Sequence, residues 1–159
     1  MVVNSASAKL DIYDQKILGI LGDDGRIPWS DLAEKIGLSM TPTIRRVRRL
    51  EAAGFIERYS AKLNEELLVG SMNAFVSVTL ESQMENTLTT FEAEIAKSPN
   101  VLSCFLMTGG ADYLIRVVVQ DLSGYEKFVT KTLSRIPGVA RIRTSFALRP
   151  VIQRSALLP

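Results

Sequence analysis

The sequence predicts an α+β protein: an N-terminal helix-turn-helix unit of three helices, followed by a ferredoxin-like β-α-β-β-α-β domain. Three observations carry this. Apolar residues recur at helical spacing as far as about Ala53, alternation at strand spacing begins at Asn73, and the second half of the chain repeats itself. Pro99-Asn100-Val101 and Pro137-Gly138-Val139 stand 38 residues apart, Phe91 and Phe128 stand 37 apart, and Asn73 and Asp112, which open strands, stand 39 apart. Each copy reads strand, helix, proline turn, strand. Two copies make one sheet with both helices on the same face.

Residues 1 to about 9 read as an arm. From Asp11 to Leu21, the residues Ile17, Leu18 and Leu21 recur at helical spacing, Asp11 and Asp14 lie where negative charge suits the helix dipole, and Gly22 follows. Asp31 to Ile36 is a second, short helix, apolar at Leu32, Ala33 and Ile36, with Gly37 as its left-handed stop. Pro28 stands where a capping Ser or Thr is usual, so Ser30 or Asp31 is expected to satisfy the free N–H groups. Trp29 reads as an anchor of this helix in preference to a DNA or partner contact. The third helix, from about Pro42 to Ala53, gathers Ile44, Val47 and Leu50 on one side and Arg45, Arg46 and Arg49 on the other. Only a short turn containing Gly37 separates it from the second.

Gly54 stops the third helix, Phe55 to Leu63 reads as a strand, and Asn64 to Gly70 as a short connection. Three regions are therefore expected: a DNA-binding unit over residues 1–60, a linker strand or hinge over 61–72, and a sheet domain over 73–159. In the last, Ala74, Val76, Val78 and Leu80 alternate with Phe75, Ser77 and Thr79, which predicts a strand. A helix of about Asn86–Lys97 carries Leu88, Phe91, Ile95 and Ala96; strands follow at Val101–Thr108 and Asp112–Gln120 around the turn Gly109-Gly110-Ala111. Ser123-Gly124-Tyr125-Glu126 reads as a capping box that opens the second helix, and Val139–Leu148 is the last strand. Val117, Val119, Ile142 and other alternating apolar residues are expected on both sides of the strands, leaving an apolar face that calls for a second subunit.

Composition narrows the function. The chain has 159 residues, 47% of them apolar and 23% charged, with a net charge of 19 − 17 = +2, so any basic surface must be local. Between Ser39 and Arg58 five arginines face only Glu51 and Glu57. The chain has no histidine and one cysteine, Cys104, in an apolar run, which excludes an internal disulfide, a Cys/His zinc site and a histidine-dependent triad. No catalytic residue, metal or cofactor is expected. No run has the length of a signal peptide or a membrane span, which places the protein in the cytoplasm.

The arginine-rich helix is the chemical motif. Ser39 or Thr41 can cap its N-terminus, where the dipole and free N–H groups suit a phosphate, and arginines that follow offer bidentate guanine contacts. A second helix so built enters the DNA major groove. The residues expected to meet double-stranded DNA are Ser39, Thr41, Thr43, Arg45, Arg46 and Arg49.

A helix-turn-helix joined by a short strand to a ferredoxin-like domain resembles the Lrp/AsnC family, the leucine-responsive and related regulators of bacteria and archaea. The segments that carry the resemblance, over about Leu10 to Pro159, are Asp24-Gly25-Arg26-Ile27, Ile36-Gly37-Leu38-Ser39, Arg45-Arg46-Val47-Arg48-Arg49-Leu50-Glu51, Gly54-Phe55-Ile56, Gly109-Gly110-Ala111-Asp112-Tyr113-Leu114 and Pro137-Gly138-Val139. Pro28 and Met40 depart from the family pattern at the starts of the two reading-unit helices. The resemblance implies a transcriptional regulator that forms a homodimer through its sheet domain, often four dimers in an octamer, and binds a small effector, usually an amino acid, near the turn between the second and third strands. Position by position, it implies effector contacts at Met107, Thr108, Gly109, Gly110, Asp112 and Tyr113, with Thr144 and Ser145 as neighbours. Glycine amides in a turn can take a carboxylate and Asp112 an ammonium. Read without the resemblance, the same glycines are a hairpin turn, and Asp112 caps its own backbone.

Two other readings compete. One is an enzyme of the haem-precursor decarboxylase type, which looks similar in fold but is expected to use histidine. The other is a stand-alone amino-acid sensor with a vestigial helix-turn-helix.

Overall fold

The computed structural model describes residues 10–152; the expected arm over residues 1–9 and the last part of the sheet domain, 153–159, lie outside the described residues. The described chain divides into two compact units, one ending at Lys62 and the other spanning Leu63–Val151.

The first unit holds α1 (Ile12–Asp23), α2 (Trp29–Ile36) and α3 (Met40–Ala52). A reciprocal capping box opens α1: the Asp14 N–H donates to the Asp11 carboxylate at 2.9 Å and the Asp11 N–H to the Asp14 carboxylate at 3.1 Å. Two orphan donors are satisfied there, and α1 then runs through Gly22 to Asp23. At α2 the expected compensation for Pro28 is not made, because the Ser30 hydroxyl donates to the Asp31 carboxylate instead of either group capping the backbone. Trp29 is 43% exposed and so is not an anchor buried in the unit. Gly37, at φ 76°, closes α2, the Leu38 N–H reaching back to the Ala33 carbonyl and the Gly37 N–H to that of Glu34. This left-handed cap turns the chain straight into α3.

Ile17, Leu32, Ile36, Val47 and Leu50 form the buried centre of this unit. The stripe that α3 contributes is Thr43, Val47 and Leu50, not the expected Ile44, Val47 and Leu50; Thr43 is fully buried and Ile44 is only partly buried. Thr43 fits because its hydroxyl donates to the Ser39 carbonyl one turn back at 2.9 Å, which satisfies it without water. The strand expected over Phe55–Leu63 does not form. Asn64 instead caps a single helical turn, α4 (Glu65–Leu68), which belongs to the second unit.

The second unit runs β1 (Met72–Leu80), α5 (Glu85–Ile95), β2 (Val101–Leu106), β3 (Tyr113–Val119), α6 (Leu122–Lys131), a 3₁₀ turn at Leu133–Arg135, and β4 (Val139–Ala147). Its four strands lie in the order β2-β3-β1-β4, every pair antiparallel. This is the ferredoxin-like arrangement predicted from the internal repeat. The helix α6 opens on Asp121, whose carboxylate accepts from the Gly124 N–H at 2.8 Å, and not on the expected Ser123 box.

Register fixes which side chains share a face. Ala74 opposes Val117, Val76 opposes Ile115 and Val78 opposes Tyr113, and these buried residues meet Phe91, Ile95, Phe128, Leu133 and Ile136 from the helical layer. Burying each of the larger aliphatic and Phe side chains among them contributes about 1.5–3 kcal/mol. Val117, Val119 and Ile142 lie on this covered side, and the other alternating apolar residues fall on the open one, so both sides carry apolar side chains as expected. The open side carries Phe75, Leu114 and Phe105 among Ser77, Ser103 and Arg116. Arg116 is held there by Glu65 at 2.6 Å and by Asn73.

Candidate functional site

Two polar edges lie apart from the cores, one in each unit. The first is α3. Its N-terminus is bare: Ser39 is the N-cap residue but makes no side-chain cap bond, and Pro42 brings no N–H, so the free donors of the first turn are those of Met40 and Thr41. Ser39, Met40 and Thr41 are all exposed. The hydroxyls and the positive end of the helix dipole thus face solvent together, which suits an anion.

The four arginines divide into two pairs. Arg46 places one terminal nitrogen 2.6 Å from the Asp11 carboxylate and 2.9 Å from that of Asp14, with its guanidinium over the Tyr13 ring at 5.3 Å. Arg49 pairs with the second oxygen of Asp14. Asp14 is 1% exposed, so its charge is tolerable only because two guanidiniums and the Asp11 N–H surround it. The Asp14 N–H and the Arg46 guanidinium hold the Asp11 carboxyl below its ordinary range, and pairing with Asp11 and Asp14 raises the Arg46 pKa further. This cluster fastens α3 to α1.

Arg45 and Arg48 are exposed and have no acidic partner among the described residues. With Thr41 and Ile44 they line a shallow open hollow. At about 100° per residue, Thr41, Arg45 and Arg48 fall within roughly 60° of one another around the helix. Of the six residues expected to meet DNA, the structure therefore leaves Ser39, Thr41 and Arg45 turned outward. It corrects Thr43, which is buried, and it turns the charged ends of Arg46 and Arg49 toward α1, although Arg49 stays half-exposed. Arg48 was missed. Its spacing of four and seven from Ile44 and Thr41 carried the signal, but three adjacent arginines hid it.

The second edge is the turn from β2 to β3. Met107, Thr108, Gly109 and Gly110 are exposed, the Met107 N–H closes the turn on the Asp112 carbonyl at 2.8 Å, and Gly109 takes φ 119°. The N–H groups of residues 108 to 111 make no backbone bond among the described residues, so they remain available as donors. Asp112 is not one of them. It is 7% exposed, one carboxylate oxygen accepting from the Leu80 N–H at 2.7 Å and the other from the Gln83 amide at 2.6 Å. Both of its oxygens hold the end of β1 and the Gln83 amide, a structural role that the sequence did not indicate. Tyr113 is likewise a core residue, 1% exposed, with its ring 4.5 Å from Phe91 and its hydroxyl donating to Glu92 at 2.8 Å. Burial and that carboxylate push its pKa up.

Thr144 and Ser145 lie on β4, the opposite edge of the sheet from β2. Three strand spacings, about 14 Å, intervene within one chain. The Thr144 hydroxyl pairs with Tyr125 on the covered side, while Ser145 alternates to the open side. One chain therefore does not bring these two residues to the turn.

Comparison with known proteins follows the same division. The AsnC-type helix-turn-helix domain profile matches residues 10–51, and the Lrp/AsnC ligand binding domain profile matches residues 73–157. The chain is 57% identical over 149 residues to the Bkd operon transcriptional regulator of Pseudomonas aeruginosa, covering 94% of this chain and 97% of that one. It is 40% identical to the leucine-responsive regulatory protein of Escherichia coli, covering 94% and 91%. Among solved structures, a transcriptional regulator from Neisseria meningitidis in complex with L-Met superposes with a TM-score of 0.88 at 35% identity, covering 94% of this chain and 96% of that one. An AsnC family transcriptional regulator from Agrobacterium tumefaciens superposes with a TM-score of 0.86 at 33% identity, covering 93% and 96%.

Proposed function

The chain belongs to the Lrp/AsnC family of transcriptional regulators, and from that premise we propose that it reads duplex DNA with the outward face of α3 and answers to an apolar α-amino acid. One observation carries the first half: α3 holds four arginines, of which Arg46 and Arg49 are paired to α1 while Arg45 and Arg48 are open to solvent. Ser39 and the Met40 and Thr41 amides take a phosphate and set the depth of entry. Arg45 and Arg48 reach guanine edges in the major groove.

The test is a mobility-shift titration. Arg45→Ala and Arg48→Ala should each weaken operator binding by about 1–3 kcal/mol with an unchanged melting temperature. Arg46→Ala should act mainly by loosening the unit. Wild-type affinity in both outward variants, with loss confined to Arg46 and Arg49 variants that melt normally, would refute this assignment.

The effector half rests on the exposed amides of residues 108–111 and on the neighbouring apolar Leu106 and Met107, 63% and 43% exposed. The amides suit a carboxylate and the side chains an apolar body. The names leucine-responsive regulatory protein and L-Met complex, borne by relatives, agree with such a ligand. The ammonium partner comes from a second copy of the chain, since Asp112 is occupied. Phe75, Phe105 and Leu114 on the open side of the sheet support a homodimer that brings two α3 helices to one duplex, with the octamer as its higher assembly. A bound ligand raises the melting temperature, so a thermal-shift screen of amino acids reads this directly. Gly110→Val, placed where nothing lies within 4 Å, should keep the fold and abolish the shift. An undiminished shift would remove this turn from the site.

A further inference from the structure

Ile44 stands apart from the apolar core of its unit. The side chains before and after it on the inner stripe, Thr43, Val47 and Leu50, are buried, yet Ile44 is only partly buried and is not among the apolar residues packed on the core of its unit. It is instead one wall of the hollow that Thr41, Arg45 and Arg48 complete. A β-branched apolar residue is a weak choice for a helix on propensity alone, and here it borders hydroxyl and guanidinium groups without belonging to the core of its unit. What such a face lacks, set against a major groove, is a surface for the apolar feature of that groove. The feature is the thymine 5-methyl group.

We propose that Ile44 is a specificity-determining residue that packs on a thymine methyl, flanked by guanines held by Arg45 and Arg48. This rests on the reading of α3 given above and adds to it the base that the hollow selects. Arg45 follows Ile44 directly, and Arg48 lies one turn further, about 6 Å along the helix axis. The preferred half-site therefore carries a thymine with a guanine within about two base pairs.

The experiment uses the full chain and duplexes selected by it from a random-sequence library. Each thymine of the selected site is replaced singly by deoxyuridine, which removes only the methyl group, and each guanine by 7-deazaguanine, which removes only the N7 acceptor. One thymine in each half-site should lose about three- to tenfold in affinity on demethylation with the wild-type protein. Ile44→Ala should show no further loss at that thymine, and Ile44→Val an intermediate one. If no thymine responds, or if the response is unchanged in Ile44→Ala, the proposal is overturned. The guanine arm tells that failure from a failure of the underlying reading: Arg45→Ala or Arg48→Ala should lose sensitivity to 7-deazaguanine at one position. If neither does, α3 does not read bases at all.

Discussion

The two units hold their polar edges in different ways. In the helical unit five apolar residues form the buried centre, and a buried aspartate with two arginines fastens the reading helix beside it. In the sheet unit thirteen buried residues form the core, and backbone register alone fixes which side chains face outward. A small core under-determines the rotation of a helix about its own axis, because an apolar stripe tolerates some roll. A directional ion cluster removes that freedom. A sheet needs no such device, since a slip of one residue would exchange its faces.

The sharpest way to break the comparison is Asp14→Ala. Arg46 and Arg49 would lose their shared partner, and because both reach solvent the cost should be about 2–3 kcal/mol, below that of an ion pair wholly buried. Urea unfolding of the helical unit should show it, together with a loss of base discrimination in excess of the loss of affinity. Equal stability would mean that the small core sets the roll of α3 by itself.

A smaller effect is expected in the sheet unit from Asp112→Ala, which strands the Leu80 N–H and the Gln83 amide. The cost should be about 1–3 kcal/mol. Amide exchange at Leu80 should quicken, while binding of an amino acid at the turn should persist once the variant is folded. If stability holds and effector binding alone is lost, Asp112 contacts the ligand after all.

The smallest effect is a pH dependence confined to the helical unit. The Asp11 carboxyl titrates below its ordinary value of 3.8 when folded, so its contribution is complete above that value and fades as the pH falls through the folded one. Asp11→Asn should flatten the acid limb of the stability profile measured between about pH 5 and 2. An unchanged limb would place the acid sensitivity elsewhere.

Much of this was legible beforehand. The strands β1 to β4 and the helix α5 lie within a few residues of their expected bounds, because alternation and a repeated proline turn report local geometry directly; α6 starts within a few residues of the expected place but gives way after Lys131 to a 3₁₀ turn. The turn at Gly109 and Gly110 was found for the same reason. The roles of Asp112 and Tyr113 were not legible, since a polar residue at a strand start reads the same whether it faces a ligand or caps the neighbouring strand. Only the pairing of β3 with β1 shows that Leu80 waits opposite.

On α3 the division is clearest. The amino-acid order determined that a helix forms there, that Gly37 turns the chain into it, and that one flank is cationic. It did not determine which arginines face outward: ranking side chains by polarity put Ile44 inside and Thr43 outside. The fold buries Thr43 fully and leaves Ile44 only partly covered. Thr43 can satisfy its hydroxyl on its own helix, and Asp14, some thirty residues earlier, draws Arg46 and Arg49 inward; the long-range pairing of charges, which no local pattern records, fixed which arginines are left facing solvent.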